Sequence, residues 1–307
     1  MHTYADWHCD TASKIYEMNG HLLDSDLHIN INKLRIFDSP IQMFAVWLKK
    51  ENYDSAYDTT VKIINKFKEE IIKNSEVIAF SESYNDIFKN KGKINAMLSI
   101  EGAEALEGSI DKLYNLYDMG VRLITLTWNY RNCVATGVLE SSYGGGLTDF
   151  GKEAVRQMEK LGIIIDVSHL SDEGFFDVAK RTEKPFIASH SNSRDICSSQ
   201  RNLSDEQLKI IGERGGIIGL NMYPPFLSND NASIYDVIKH TEHMLEICGE
   251  DCISLGCDYD GISETPVGME DVTCIGNLIE LMEKHFGTEI TEKIAYKNYL
   301  RVLKAII

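Results

Sequence analysis

The chain has 307 residues, 43% of them hydrophobic, and a formal net charge of −16 at pH 7. That charge argues against nucleic acid or an anionic membrane surface as a partner, and no apolar run approaches the roughly 18 residues that cross a bilayer. Seven Cys scattered singly, with no basic or apolar leader in Met1-His2-Thr3-Tyr4-Ala5-Asp6, predict a reduced, cytoplasmic protein with free thiols.

In chain order, a strand near 3–8 runs into Asp6-Trp7-His8-Cys9-Asp10, and 20–40 reads as a loop. A strand near 41–48 precedes a helical pattern at 55–73. The apolar run at 94–100 ends on Glu101-Gly102, before a helix at 104–118 with Ser109 as a candidate cap. A strand at 121–127 leads to a loop holding Gly144-Gly145-Gly146, then a helix at 148–160 opened by Thr148. The unbroken Gly162-Ile163-Ile164-Ile165-Asp166-Val167 reads as a strand buried on both faces, and it ends on Ser168-His169. A helix at 172–181 behind Ser171 and a strand at 185–189 ending on His190 follow. Next come a helix at 204–213 behind Ser204, a strand at 216–221, a helix at 233–248 and a strand at 252–257 ending on Asp258. Helices near 270–285 and 290–306 close the chain. Eight strands alternating with helices predict an α/β fold, a (β/α)8 TIM-type barrel of the metal-dependent hydrolase kind, as one domain over residues 1–307. Such a barrel typically takes about 250 residues.

A parallel barrel collects the carboxyl ends of its strands at one mouth, where its enzymes keep their sites. His8-x-Asp10 places an imidazole and a carboxylate on one face of a strand, a pairing that suits Zn²⁺. Alone, the pair reads more readily as a solvated strand end. Glu101 is placed to bridge two ions through its two oxygens, whereas Glu104 and Glu107 fit the role of helix N-terminal carboxylates better. A lone His at a strand end is usually structural, but His169 and His190 end consecutive strands and would lie side by side. Asp258 is placed to move a proton beside a metal site, while Asp260 before Gly261 reads as a turn residue. Arg201, in the loop after the sixth strand, can grip a carboxylate through two parallel bonds, although a surface arginine is the default reading. Cys248-x3-Cys252 has no companion pair and reads as core thiols. Phosphate-loop, nucleophile-elbow and dinucleotide motifs are absent.

Taken together, Asp6-x-His8-x-Asp10-Thr11, Ile100-Glu101-Gly102, Ile165-Asp166-Val167-Ser168-His169, Ser189-His190-Ser191 with Arg201-Asn202, and Gly256-x-Asp258-Tyr259-Asp260-Gly261 resemble the membrane dipeptidase (renal dipeptidase) family of zinc peptidases. The resemblance runs in order from Asp6 to about Val302, and implies a soluble, bacterial-type member. It implies two Zn²⁺ per chain, one held by His8, Asp10 and Glu101 and the other by Glu101, His169 and His190. Glu101 would bridge them, Asp258 would be the acid/base, and Arg201 would bind the substrate's terminal carboxylate. The implied reaction is hydrolysis of a dipeptide amide by a hydroxide bridging the two ions, with tolerance in the family for a D-residue at the C-terminal position. One position departs. Mammalian members carry a substrate-contacting His just after Leu-Thr of the fourth strand, and here Leu126-Thr127 leads to Trp128-Asn129, so that contact falls to Asn129 or is lost.

Two rivals stand beside this reading. One is a metal hydrolase of the same barrel acting on another amide, a lactone or a phosphoester. The missing His-x-His on the first strand and the missing Lys on the fourth argue against it. The other is a metal-containing barrel that only binds a partner, for which Asp258 and Arg201 would be superfluous. A homodimer stays open as the assembly.

Overall fold

The computed structural model describes residues 2–307. Its strands are all parallel: β1 (Ala5–Asp6), β2 (Ile41–Trp47), β3 (Ile78–Phe80), β4 (Ile94–Glu101), β5 (Val121–Thr125), β6 (Ile164–Asp166), β7 (Ile187–Ala188), β8 (Ile217–Leu220) and β9 (Ile253–Leu255). The order β2-β1-β9-β8-β7-β6-β5-β4 closes where β4 pairs with β2. This is the eight-stranded (β/α)8 barrel that the alternation predicts. The closing seam is long, running in register from Ile41↔Asn95 to Trp47↔Glu101. It places Trp47 beside Glu101 at the mouth.

β3 is a ninth strand that the sequence reading passed over. It pairs with Ile94–Ala96 at the start of β4, while β5 pairs with Leu98–Glu101 further along. Since β2 occupies one edge of β4 throughout, β3 and β5 share the other. The apolar run of β3, Val77-Ile78-Ala79-Phe80, is short, and of the three strand residues only Ile78 is fully buried.

Alternation along each strand sorts the core into two layers. Met43, Met97, Leu123, Ile187 and Ile217 point into the barrel, where the C-terminal helix Asn298–Ile306 closes the floor with Tyr299, Val302 and Leu303. The Tyr299 ring stacks on Trp7 at 3.9 Å. Phe44, Leu98, Ile100, Ile124, Ile165 and Ile218 face outward under the helices. Thr148, Ser171 and Ser204 cap their helices through side-chain oxygens as expected, whereas Ser109 stands at its N-cap without such a bond. The 20–40 loop contains a short helix, Ile31–Leu34, and 290–306 divides into Thr288–Glu292, a π-turn at Lys293–Lys297 and Asn298–Ile306.

Two glycines act through what they lack. A Cβ on Gly219 or on Gly256 would run into the carbonyl oxygen of Ser189. Their absence lets the segment before His190 lie directly against its neighbours. Among the described residues, no helix is long and apolar enough to cross a membrane.

Candidate metal centre

The period of two that puts Met97 inside the barrel also puts Ser99 and Glu101 there, and β4 ends with Glu101 at the mouth. On the next strands, Leu123 is followed inward by Thr125, Ile164 by Asp166, and Ile187 by Ser189. A polar layer thus lies above the apolar floor.

The first candidate ligands reach the site by a different route from the one expected. β1 ends at Asp6, so His8 and Asp10 lie beyond it rather than on one strand face. Asp10, at φ −94 and ψ 11, precedes the helix Thr11–Glu17. The Asp6 carboxylate fixes this turn by accepting His8 N at 2.8 Å and Cys257 N at 3.0 Å. The two side chains still converge. His8 Nε2 lies 3.5 Å from Asp10 Oδ2, 3.6 Å from Glu101 Oε2 and 3.7 Å from Asp258 Oδ1. Cys9 between them is buried in the core.

Glu101 turns its other oxygen the opposite way. Oε1 lies 2.8 Å from His169 Nε2 and 3.5 Å from His190 Nε2, and those two nitrogens are 2.9 Å apart. Two candidate cation groups, His8-Asp10-Glu101 and Glu101-His169-His190, therefore share one carboxylate, and His8-His190-Asp258 forms a third combination. His169 and Asp258 sit at φ 66 and 63, and Asp260 at 68. Left-handed backbone in non-glycine residues costs about 1–3 kcal/mol each and gathers at functional sites.

The electrostatics fit cations. His8 is fully buried, yet neither ring nitrogen has a hydrogen-bond partner, and Asp10 Oδ1 has none either. Burial raises Asp10 to about 6, with Glu101 adding. Burial also raises Asp258 to about 8, opposed by His8 and helped by Asp10 and Glu101. Burial opposes the Glu101 charge, but His8, His169 and His190 outweigh it and hold the carboxylate well below its usual range. Burial holds His190 far below its ordinary value and His169 at about 4, leaving both imidazoles neutral, the form that binds metal. Three carboxylates and three imidazoles crowded without water-like solvation are a donor set that suits divalent cations of the zinc type.

Around this centre lies a cavity of about 320 Å³ lined by Asp10, Glu101, Asn129, His169 and Asp258, with Trp47, Trp128, Tyr223 and Phe226 as aromatic walls. Asp258 Oδ2 accepts from Asn221 Nδ2 at 2.9 Å. Asn221 escaped the sequence reading, although an amide just past the apolar run Ile217-Ile218-Gly219-Leu220 obeys the same strand-end rule as the acids and imidazoles. Asp260 behaves as more than a turn residue. It accepts from the Thr11 hydroxyl at 2.6 Å and from His28 N at 2.7 Å, pinning the 20–40 loop. Asn129 Oδ1 is 2.8 Å from His169 Nδ1, so its oxygen is committed to that ring while the residue still lines the cavity. Arg201 is 8% exposed and stands one layer back. Its Nη2 donates to His190 O at 3.3 Å, and its guanidinium carbon lies 5.3 Å from the centre of the Phe226 ring. Burial lowers it to about 10, opposed by Asp258 and Glu101, so it stays cationic at neutral pH.

A family model described as "Membrane dipeptidase (Peptidase family M19)" matches residues 1–307. The chain belongs to this family. An uncharacterized dipeptidase of Schizosaccharomyces pombe is 32% identical over 300 residues, 90% of this chain and 72% of that protein. Among solved structures, a metallopeptidase from Rhodobacter sphaeroides, liganded with a phosphinate mimic of the dipeptide L-Ala-D-Ala, superposes with a TM-score of 0.91 at 22% identity, covering 100% of this chain and 99% of the other. A dipeptidase of family M19 gives 0.91 at 23% identity, covering 99% and 98%. At those identities the superpositions speak for the fold. Membership makes the chain a hydrolase of the metallo-dipeptidase family.

Proposed function

We propose that this chain is a binuclear, zinc-dependent dipeptidase built as one barrel domain over residues 1–307. The observation that carries the reading is Glu101, which offers Oε2 to the His8–Asp10 group and Oε1 to the His169–His190 group. His8, Asp10 and Glu101 would hold one ion, and Glu101, His169 and His190 the other. When bound there, such ions supply Lewis acidity and a water acidic enough to attack near neutral pH.

The chain's own residues do the rest. Asp258, held by Asn221, takes the proton of the attacking water and returns it to the departing amine, a role suited to a carboxyl raised toward neutrality. The Asn129 amide nitrogen, left free when its oxygen bonds His169, is a donor for the substrate carbonyl. The aromatic walls exclude water from a cavity at the small end of ligand pockets, which run from about 300 Å³ upward. Arg201 pairs with the substrate's terminal carboxylate, and Phe226 is the side chain that yields to let it through. A fixed distance from the scissile bond to that guanidinium selects dipeptides over longer peptides. L-Ala-D-Ala, mimicked by the ligand of the Rhodobacter sphaeroides neighbour, is the first substrate to assay.

The test compares kcat/KM on matched dipeptides and C-terminally amidated dipeptides after reconstitution with zinc. Free dipeptides should be cleaved and amides rejected, and Arg201→Ala should lose the free dipeptide and narrow the gap. Equal wild-type rates on the two would overturn the reading of Arg201, and with it the assignment as a dipeptidase.

A further inference from the structure

Asp166 and Ser189 belong to the strand-end motifs but have no part in the chemistry above. Both are fully buried in the polar layer beneath the candidate ligands. The Asp166 carboxylate accepts four hydrogen bonds. Oδ1 takes Ser168 N at 3.0 Å and Ser189 N at 2.8 Å, and Oδ2 takes the Thr125 hydroxyl at 2.6 Å and the Ser189 hydroxyl at 2.5 Å. A carboxylate used wholly as an acceptor has no proton to offer. Ser189 has one hydroxyl proton, and Asp166 receives it. Yet Ser189 Oγ also lies 2.8 Å from His190 Nδ1. With its proton committed, Oγ can only accept there, so the proton on that contact belongs to the imidazole.

We infer that Asp166 and Ser189 are positioning residues that lock His190 in its Nδ1–H tautomer and aim the Nε2 lone pair at the cation. The inference rests on the metal-site reading above. A histidine ligand whose remote nitrogen donates to a fixed acceptor is oriented and made more basic, and losing such a partner typically costs about 10–100-fold in metal affinity. Here the carboxylate acts through a hydroxyl rather than directly. His8 provides the contrast, since its Nδ1 has no partner and no group of this kind fixes its tautomer.

The variants are Ser189→Ala, which removes the link but leaves Asp166 its backbone donors, and Asp166→Asn. Ser254→Ala is the control: it deletes an equally buried hydroxyl that has no hydrogen-bond partner. Two readouts are needed. In metal-free protein labelled with ¹⁵N-histidine, the His190 ring, assigned by its loss in His190→Asn, should show a single Nδ1–H form in the wild type and a tautomer mixture in Ser189→Ala. In competition with a chromogenic chelator, Ser189→Ala and Asp166→Asn should bind zinc about 10–100-fold more weakly, with the control within twofold of wild type. At saturating zinc, Ser189→Ala should recover most of its kcat, which separates positioning from chemistry. Wild-type zinc affinity in Ser189→Ala, or an unchanged Nδ1–H signature, overturns the inference. Should Asp166→Asn not fold, Ser189→Ala decides alone. A wild type that binds no divalent cation would defeat the metal reading, and the ring spectrum would still decide the tautomer.

Discussion

Asn221→Ala tests the proton shuttle through the neighbour that tunes it. Asn221 Nδ2 donates to Asp258 Oδ2 at 2.9 Å inside a buried site, and that bond pulls the Asp258 carboxyl downward against the burial that raises it. A hydrogen bond to a charged group is worth about 1.5–3 kcal/mol, and each pKa unit corresponds to about 1.36 kcal/mol. Removing the donor should raise the Asp258 pKa by about 1–2 units. The base must be ionised in free enzyme, so the acidic limb of kcat/KM should move to higher pH by that amount. On the limb, activity falls about 10–100-fold, and it returns on the plateau above it. Asn221→Asp places a second carboxylate against the first and should shift the limb further in the same direction. The assay is a pH profile of kcat/KM on one dipeptide at saturating zinc, with metal content verified at each pH. An unmoved limb in Asn221→Ala would show that Asp258 does not govern it, whatever the loss in absolute rate.

Glu101→Gln should lower occupancy at both cation positions together, since one carboxylate faces both groups; elemental analysis finding two ions per chain in this variant would break the shared-ligand model. Asp258→Asn should retain both ions and the fold while kcat drops by about 10²–10⁴, and near-wild-type turnover would remove Asp258 from the mechanism. Glu70 gives a prediction about stability. It is 1% exposed and accepts from Leu22 N, Lys66 and Lys73; although burial opposes the charge, these bonds bring its carboxyl down from 4.5 to about 2. A depressed folded pKa stabilises above the unfolded value and loses that contribution as pH falls through the folded one. The unfolding free energy of the wild type from urea titrations should therefore decline from about pH 4.5 toward 2 by about 2 kcal/mol more than that of Glu70→Gln, the figure being reduced for the solvent-exposed Lys73 partner; parallel declines would contradict this role.

Much of the barrel was legible because buried parallel strands announce themselves as unbroken apolar runs. β3 has only the short run Val77-Ile78-Ala79-Phe80, with Ile78 alone of its three strand residues fully buried, and so was passed over. His8, Asp10, Glu101, His169, His190 and Asp258 were legible as candidates because chemistry-bearing residues stood where strands end, and the structure gathers all six. The route of His8 and Asp10 was not, because it depends on Asp6 bonding Cys257 from the far end of the chain. Asn221 was missed because an amide at a strand end neither titrates nor marks a metal ligand, and no motif quoted for the family resemblance includes it. The commitment of Asn129 to His169, and the seat of Arg201 behind Phe226, are facts of packing between loops distant in sequence, which no local pattern encodes.

Gly219 and Gly256, which meet the Ser189 carbonyl where any side chain would collide, bear on how this protein can diverge. Neither touches the cavity, yet each admits a single amino acid, and replacing either would displace the turn that carries His190. Mutational tolerance here does not grade smoothly with distance from the reaction. The layer under the candidate ligands is closed to drift, while the walls at Trp47 and Tyr223 are free to vary. New substrate ranges would arise by remodelling that rim, with the floor inherited unchanged.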